Sequence, residues 1–274
     1  MSSEKNAAKS PLRWCLIGGG KMGQALASGM MAAGVVSEAD LVVVEPNETS
    51  ASWWKTGHPK VRLLPLAEGI AGSDCILVAV KPGVVPAVLS NPEADYADKL
   101  VISIAAGVRL ETLIGLVGHD RVVRVMPNTP SLIGHGASAY CVAASVQNSD
   151  RSLVEKTLSS VGMVSEVSES QMDAVTGLSG SGPAYVYLFI EALADGGVAA
   201  GLPRALAMEL AAATVSGAAE MVKQTGSHPG VLKDAVASPG GTTIAGLASL
   251  EQSGFRSAAI DAVQAAASRS RELG

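Results

Sequence analysis

A glycine turn between a short apolar run and a helical pattern constrains this chain more than any other feature. "RWCLI", Arg13 to Ile17, reads as a buried strand. "GGGKMGQALASGMMAAG" follows it, with a helical pattern that ends at Gly34. The turn contains Gly18-x-Gly20-x-x-Gly23. In a chain with 30 glycines that spacing alone says little; the strand before it and the helix after it give it meaning. Gly18 permits a tight turn, Gly20 lets a pyrophosphate approach the backbone, and Gly23 lets helix and strand pack closely. The first N–H groups of the helix then face the phosphates. The bland alternative is an ordinary glycine-rich turn.

The grammar downstream agrees with a dinucleotide-binding domain. "DLVVVEPN", "CILVAVKP" (Cys75–Pro82), "LVISIAAG" (Leu100–Gly107), "RVVRVMPNTP" (Arg121–Pro130) and "GASAYCVAA" (Gly136–Ala144) read as further strands. Helical stretches separate them, so the expectation is a parallel sheet with helices on both faces. After about Ser168 convincing strands stop. "PAYVYLFIEALADGGVAAG" has Pro183 near its start, and "LPRALAMELAAATVSGAAEMVKQTG" runs from Pro203 to Gly226. In the latter, Leu206, Leu210, Thr214, Ala218 and Val222 form one helical stripe. "TIAGLASLEQSG" and "FRSAAIDAVQAAASRSREL" add two more helices. The fold class is therefore α/β: a Rossmann-type doubly wound sheet over residues 1–168, then an all-helical domain over 169–274.

Composition narrows the partners. Apolar residues make up 48% but aromatics only 3%, so tightly packed helices of small residues are expected rather than a bulky core. Such Ala-rich helices have little bulk to close a core alone, and a second subunit could complete it. A net charge of -5 argues against nucleic acid or an anionic membrane as main partner. No apolar run reads as long enough to span a membrane; "CILVAV" stops at Lys81. The opening "MSSEKNAAKSPLR" lacks an apolar segment and reads as a frayed tail rather than a secretory signal. Cys15, Cys75 and Cys141 lie far apart and read as small buried hydrophobes in a reducing, cytoplasmic compartment. His, Cys and carboxylates never cluster at ligand spacing, so no metal is expected.

Two groups of residues carry candidate chemistry. Glu45 ends the second strand, 22 residues after Gly23, where a carboxylate can bind ribose hydroxyls and would repel a 2′-phosphate. That favours NAD; a surface glutamate before a turn is the alternative. Asn47 could touch the ribose or a phosphate, or simply make the turn. "AVKP" and "AAG" put small residues at the carboxyl edge of the sheet, where ligands bind in open α/β folds. Lys81 is either an acid or a loop residue whose backbone matters because Pro82 fixes the turn. The second group lies in "TGLSGSGPAY" and "HPGVLKDAVASPGGTTI". Each reads as a Gly/Ser/Pro turn opening onto a helix, a nest for an anion. "SPGGTT" suits a small carboxylate, held by N–H groups and Thr hydroxyls; a tight helix connection with Thr as N-cap is the alternative.

"GLSGSGPAYVYLFIEALADGGVAAGLPR" and "HPGVLKDAVASPGGTTIAGLASLEQSGFR" together resemble pyrroline-5-carboxylate reductase. The resemblance covers nearly the whole chain, including "AVKP", "IAAGV" and "RVMPNTP". It implies reduction of a cyclic imine to L-proline with NADPH or NADH. It also implies a homodimer through the helical domain, with dimers commonly assembled into a decamer. The substrate carboxylate would lie on the backbone of Ser238, Gly240, Gly241, Thr242 and Thr243, with the Thr243 hydroxyl near the ring nitrogen. Glu169 matches a position near the substrate. The dinucleotide would lie on Gly18, Gly20, Lys21, Met22 and Gly23, with Val80, Lys81, Pro82 and Ala106 near the nicotinamide. Ala235 and Glu45 depart from residues that family members carry: an asparagine in some, and a serine or threonine in several. The second departure sets Glu45 against the usual NADPH preference.

The chemistry suits this inventory, because a protonated imine is already an electrophile and hydride transfer needs little acid–base machinery. His58, His119, His135 and His228 read as turn residues, and Met30, Met31 and Met208 as packing. Two rival readings share the architecture. A 3-hydroxy-acid dehydrogenase would need a base, usually a lysine on the first helix of the second domain, and Pro183 to Ala194 carries none. A non-enzymatic dinucleotide sensor would bind the cofactor and a partner protein without turnover.

Overall fold

The computed structural model describes residues 12–273, so the reading of the opening segment as a frayed tail falls almost wholly outside them. These residues form two compact units, residues 12–180 with 267–273, and Ser181–Ala266. The sequence division falls earlier, at residues 168/169.

In chain order the first unit contains β1 (Trp14–Ile17), α1 (Lys21–Ala32), β2 (Leu41–Val44), α2 (Glu48–Gly57), β3 (Arg62–Leu63) and α3 (Leu66–Ala71). Then come β4 (Cys75–Val78), α4 (Val85–Leu89), β5 (Leu100–Ser103), α5 (Leu110–Val117) and β6 (Val122–Met126). It ends with β7 (Gly136–Val142), α6 (Asn148–Ser159), β8 (Gly162–Glu166) and α7 (Met172–Val175). The strands form one sheet in the order β3-β2-β1-β4-β5-β6-β7-β8. Alternation along each strand feeds two cores. Trp14, Leu16, Leu77 and Ile102 pack with Leu26 and Met30 of α1 and Leu158 of α6 on one face. Cys15, Ile17, Ile76 and Val101 pack with Ile70, Leu89 and Leu113 on the other. Helices thus cover both faces, which is what near-continuous apolar strands require.

Three details depart from the sequence reading. First, β7 runs antiparallel to β6. Only a short 3₁₀ turn, Thr129–Ile133, joins them, and a parallel return needs a longer crossover. Second, the short strands β3 and β8 escaped the pattern because Arg62–Leu63 is too brief to alternate and much of "GMVSE" is exposed at the sheet edge. Third, "TGLSG" is not an open nest but a π-helical turn, Thr176–Gly180. The Thr176 hydroxyl donates to the Met172 carbonyl at 2.9 Å and Ser179 to Val175 at 3.1 Å, continuing α7. Gly180 fits under Met126, where a Cβ would lie 2.3 Å from the methionine Cε.

The second unit holds α8 (Gly182–Ala199), α9 (Arg204–Thr225), α10 (Pro229–Ala235), α11 (Thr242–Gln252) and the beginning of α12 (Phe255–Leu273). From Ala267 onward α12 belongs to the first unit. Helices α8 and α9 approach closely because small residues face each other: Ala194, Ala207 and Ala211 are buried, and a Cβ on Gly197 would sit 3.2 Å from that of Ala207. The expected stripe is displaced by one position, since Leu206 is 43% and Leu210 49% exposed. Alanine, not leucine, occupies the contact because only a small side chain lets the backbones come together. Helix α9 is also long and apolar enough, by length and composition, to cross a membrane. It carries no long unbroken apolar run in the sequence because Glu209 and Glu220 interrupt the alanines.

Cys15, Cys75 and Cys141 are free and buried, as read from the sequence. Burial pushes the Cys15 and Cys75 thiols up to about 12.

At the amino edge of the sheet Arg121 makes a three-way tie. Its Nε and Nη2 donate to both oxygens of Asp150, at 3.0 and 2.7 Å. Its Nη1 donates to the carbonyl of Asp98 at 2.6 Å, and Asp98 is held at φ 60. The Arg121 hydrogen bonds hold the Asp150 carboxyl below its usual range. A depressed carboxylate contributes stability above its unfolded pKa and loses it as pH falls through the folded one. Arg121→Met is therefore expected to cost about 1–3 kcal/mol near neutral pH by leaving a buried carboxylate with only the Gln147 amide as partner. Urea unfolding of both proteins should show that difference steady from about pH 7 to about pH 5 and shrinking as pH falls below about 4; a pH-independent difference would count against the ion pair as its source.

Candidate active site

The strand order reverses beside β1, where β2 leads one way and β4 the other. Two loops leave the carboxyl edge there, and their backbones touch. Gly18, at φ +97, bonds through its N–H to the Val44 carbonyl at 2.9 Å. A Cβ on Gly18 would lie 2.7 Å from the Ala79 carbonyl oxygen, and one on Gly23 would lie 2.3 Å from that of Gly18. These two glycines are structural. Gly20 differs: a Cβ there would meet nothing within 4 Å, so its missing side chain leaves open space. That is the cradle a pyrophosphate would use.

Helix α1 begins at this cradle without a cap of its own. Gly20 is the N-cap, no side chain caps it, and no acidic residue occupies the first turn. The first helical bond runs from Gln24 N to the Gly20 carbonyl at 2.8 Å, which leaves the Lys21 and Met22 amides without partners inside the helix. Helix α2 is the contrast, because Asn47 accepts from Ser50 N and Glu48 sits in its first turn. Asn47 therefore makes the turn, one of its two expected roles. Lys21, Gln24, Thr49, Ser50 and Trp53 line a cavity of about 760 Å³ beside these two helix starts.

Sequence reasoning missed what holds the cradle. The Gly19 carbonyl accepts from the Trp54 indole at 2.9 Å and from the Gln24 side chain at 3.0 Å, both buried. The available signal was the "WW" pair in a chain with three tryptophans. Glu45 is half-buried, and its Oε1 accepts from Asn47 N at 2.7 Å. At the same edge Val80 is half-buried, Lys81 and Pro82 are exposed, and Pro82 opens a 3₁₀ turn. Ala106 is exposed in the loop after β5.

Glu169 has two partners in the first unit. Its Oε1 accepts from Leu110 N at 2.6 Å and from Arg124 Nη1 at 3.1 Å. Arg124, on β6, is only 5% exposed and was not among the sequence candidates.

In the second unit the "SPGGTT" loop repeats the logic of α1. Gly241 is the N-cap of α11, again with no side-chain cap and no acid in the first turn. Thr242 and Thr243 are the first two helical residues, so neither is the N-cap that the bland alternative supposed. Gly240 takes φ +66, and the Gly241 N–H is turned back to the Ser238 carbonyl at 3.1 Å. The first helical bond is Ala245 N to Gly241 O at 3.3 Å, so the Thr242 and Thr243 amides point off the helix end. Thr243 is half-buried. Such a terminus with adjacent hydroxyls attracts a carboxylate. Three of the four histidines are occupied elsewhere: His58 with Glu38, His119 with the Tyr96 carbonyl, His228 with Gly230 N.

Comparison with known proteins bears on both units. Residues 169–273 match the family model described as pyrroline-5-carboxylate reductase dimerisation. Residues 13–107 match the model described as NADP oxidoreductase coenzyme F420-dependent. Over 258 residues the chain is 45% identical to pyrroline-5-carboxylate reductase of Pisum sativum, covering 94% of each protein. The structure of Plasmodium falciparum pyrroline carboxylate reductase with NADP bound superposes with a TM-score of 0.84 at 36% identity, covering 96% of this chain and 98% of that one. The Coxiella burnetii pyrroline-5-carboxylate reductase structure gives 0.88 at 32%, covering 96% and 99%.

The three glycines of the cradle should separate on mutation. Gly23→Ala forces a Cβ onto a backbone oxygen and is expected to cost about 3 kcal/mol. Gly20→Ala should leave the melting temperature almost unchanged yet weaken NADPH binding about tenfold or more, by filling the open space. Thermal melts paired with NADPH titration of each variant check this; unaltered affinity in Gly20→Ala would remove the cradle.

Proposed function

The chain belongs to the pyrroline-5-carboxylate reductase family, and from that premise we propose how its residues carry out the reduction. The enzyme reduces the C=N bond of 1-pyrroline-5-carboxylate to give proline, the last step of proline biosynthesis, with a nicotinamide dinucleotide as reductant. The observation that carries the residue assignment is the pair of glycine-capped, acid-free helix starts, α1 in the first unit and α11 in the second.

Gly18, Gly20, Lys21, Met22 and Gly23 hold the dinucleotide pyrophosphate, with the Lys21 and Met22 amides donating. Val80, Lys81, Pro82 and Ala106 border its nicotinamide end. The bound dinucleotide supplies the hydride. The substrate carboxylate rests on the amides of Thr242 and Thr243 in the loop from Ser238, where Gly240 and Gly241 keep side chains out of the way. The Thr243 hydroxyl orients the ring nitrogen and accepts from its N–H. This division of labour needs no strong base, because the protonated imine is the electrophile and the protein's task is placement and exclusion of water.

The dimerisation model and the exposed apolar faces of α8 and α9 support homo-oligomerisation. Leu188, 68% exposed, and Leu210 would gain burial against a second copy. A homodimer through the helical unit, with dimers built into a decamer, completes this reading. Three unpaired buried thiols suit a reducing compartment such as the cytoplasm.

Initial rates with pyrroline-5-carboxylate and NADPH or NADH are the direct test; cofactor binding without turnover would return the sensor reading. Thr243→Ala should lower kcat about a hundredfold with an unchanged fold, the usual effect of removing a positioned hydrogen bond. A fully active variant would dismiss its role. Glu45→Ser removes a carboxylate that repels a 2′-phosphate, so the NADPH-to-NADH ratio of kcat/KM should rise about tenfold. An unchanged ratio would mean that Glu45 does not face the ribose.

A further inference from the structure

The loop from Ala105 to Arg109 follows β5 and leads into α5, and it carries Ala106. Its two ends are tied to side chains. At the start, the Ser103 hydroxyl accepts from Ala105 N at 3.3 Å. At the finish, Leu110 N donates to Glu169 Oε1 at 2.6 Å. The second tie answers a local deficit. Arg109 is the N-cap of α5 and offers no acceptor, so the helix has no side-chain cap of its own. Glu169 supplies the acceptor from 59 residues away, and its negative charge sits at the positive end of the helix dipole. Arg124 fixes Glu169 in turn. Its guanidinium is buried in the sheet and pairs with the same Oε1 at 3.1 Å. In register, Arg124 lies beside Ser103 on β5, so both ties spring from neighbouring positions.

The carboxyl-terminal end of the chain reaches the same loop. Arg109 Nη2 donates to the Arg271 carbonyl at 3.5 Å, and a Cβ on Gly107 would lie 3.8 Å from the Leu273 Cβ. The buried Ser270 anchors this end by donating to Asp173 at 2.6 Å.

We propose that Glu169 is a positioning residue for the nicotinamide-end loop, held by Arg124, rather than a substrate ligand. The inference rests on the reductase reading above and deepens it. Glu169 acts through the backbone: its carboxylate sets where α5 begins, and hence where Ala105 to Arg109 presents its surface to the dinucleotide.

The test uses the full-length enzyme with Glu169→Ala, Glu169→Gln and Arg124→Met, each checked by thermal melt. Hydrogen exchange in the absence of ligand should show faster exchange across residues 105–110 in Glu169→Ala. The NADPH dissociation constant, measured by titration without substrate, should rise about tenfold, the loss of one charge-assisted hydrogen bond. The KM for pyrroline-5-carboxylate should stay within about twofold. Glu169→Gln keeps an acceptor for Leu110 N and should fall between wild type and alanine. Arg124→Met should reproduce the alanine pattern. Should the substrate KM rise while NADPH affinity and exchange stay as in wild type, Glu169 is a direct substrate ligand and the proposal fails. Unaltered exchange and NADPH affinity in Glu169→Ala would also overturn it, even in a fully active enzyme. Failure of the reductase reading is separate, since it would appear as a wild-type protein without turnover.

Discussion

Everything at the cofactor end of this molecule depends on one backbone-on-backbone contact. The turn after β1 passes so close to the strand end of β4, and α1 so close to that turn, that no Cβ fits at Gly18 or Gly23. A close-packed interior tolerates no such overlap, so the two glycines fix where α1 starts and in which direction it leaves the sheet. The start of α1 decides where the free amides of Lys21 and Met22 lie. Buried donors then lock the Gly19 carbonyl from the far side, through Trp54 and Gln24. The open space at Gly20 is thus the remainder of a tightly filled corner, which is why it can be shaped for a ligand.

The two units solve the same electrostatic problem with the same device. An N-cap side chain or a first-turn acid would satisfy the orphan amides of a helix start and repel an anion. Helices α2 and α6 have such caps, while α1 and α11 begin at bare glycines. What differs is support. The cradle of the first unit rests on a two-sided core, whereas the second unit buries chiefly Ala194, Ala207 and Ala211 and leaves leucines outward. Its stability therefore depends on covering those faces, and the match to a dimerisation domain fits that need.

Much of this was legible before any coordinates. Short apolar, β-branched runs placed β1, β2, β4, β5, β6 and β7, and the glycine spacing placed the cofactor turn, because local backbone demands write themselves into local residues. "SPGGTT" marked a helix start for the same reason, although it left open whether a threonine caps it; the structure puts Gly241 at the cap. Partners distant in the chain were not legible. Trp54 reaches Gly19 across 35 positions and Glu169 reaches Leu110 across 59. Neither pairing has a periodic signature, although Arg109 at an N-cap position hints that an acceptor must come from elsewhere.

By itself, then, the sequence determined the alternation of strands and helices, the switch to an all-helical second half, and the glycines where a ligand can approach. Those are properties of single residues and their near neighbours: φ, Cβ volume and apolar period. Only the tertiary structure decided that β7 reverses, that "TGLSG" continues a helix, that alanines rather than leucines close α8 on α9, and that Glu169 serves α5. Each of these depends on which surfaces are brought together, a competition among contacts that no local pattern encodes.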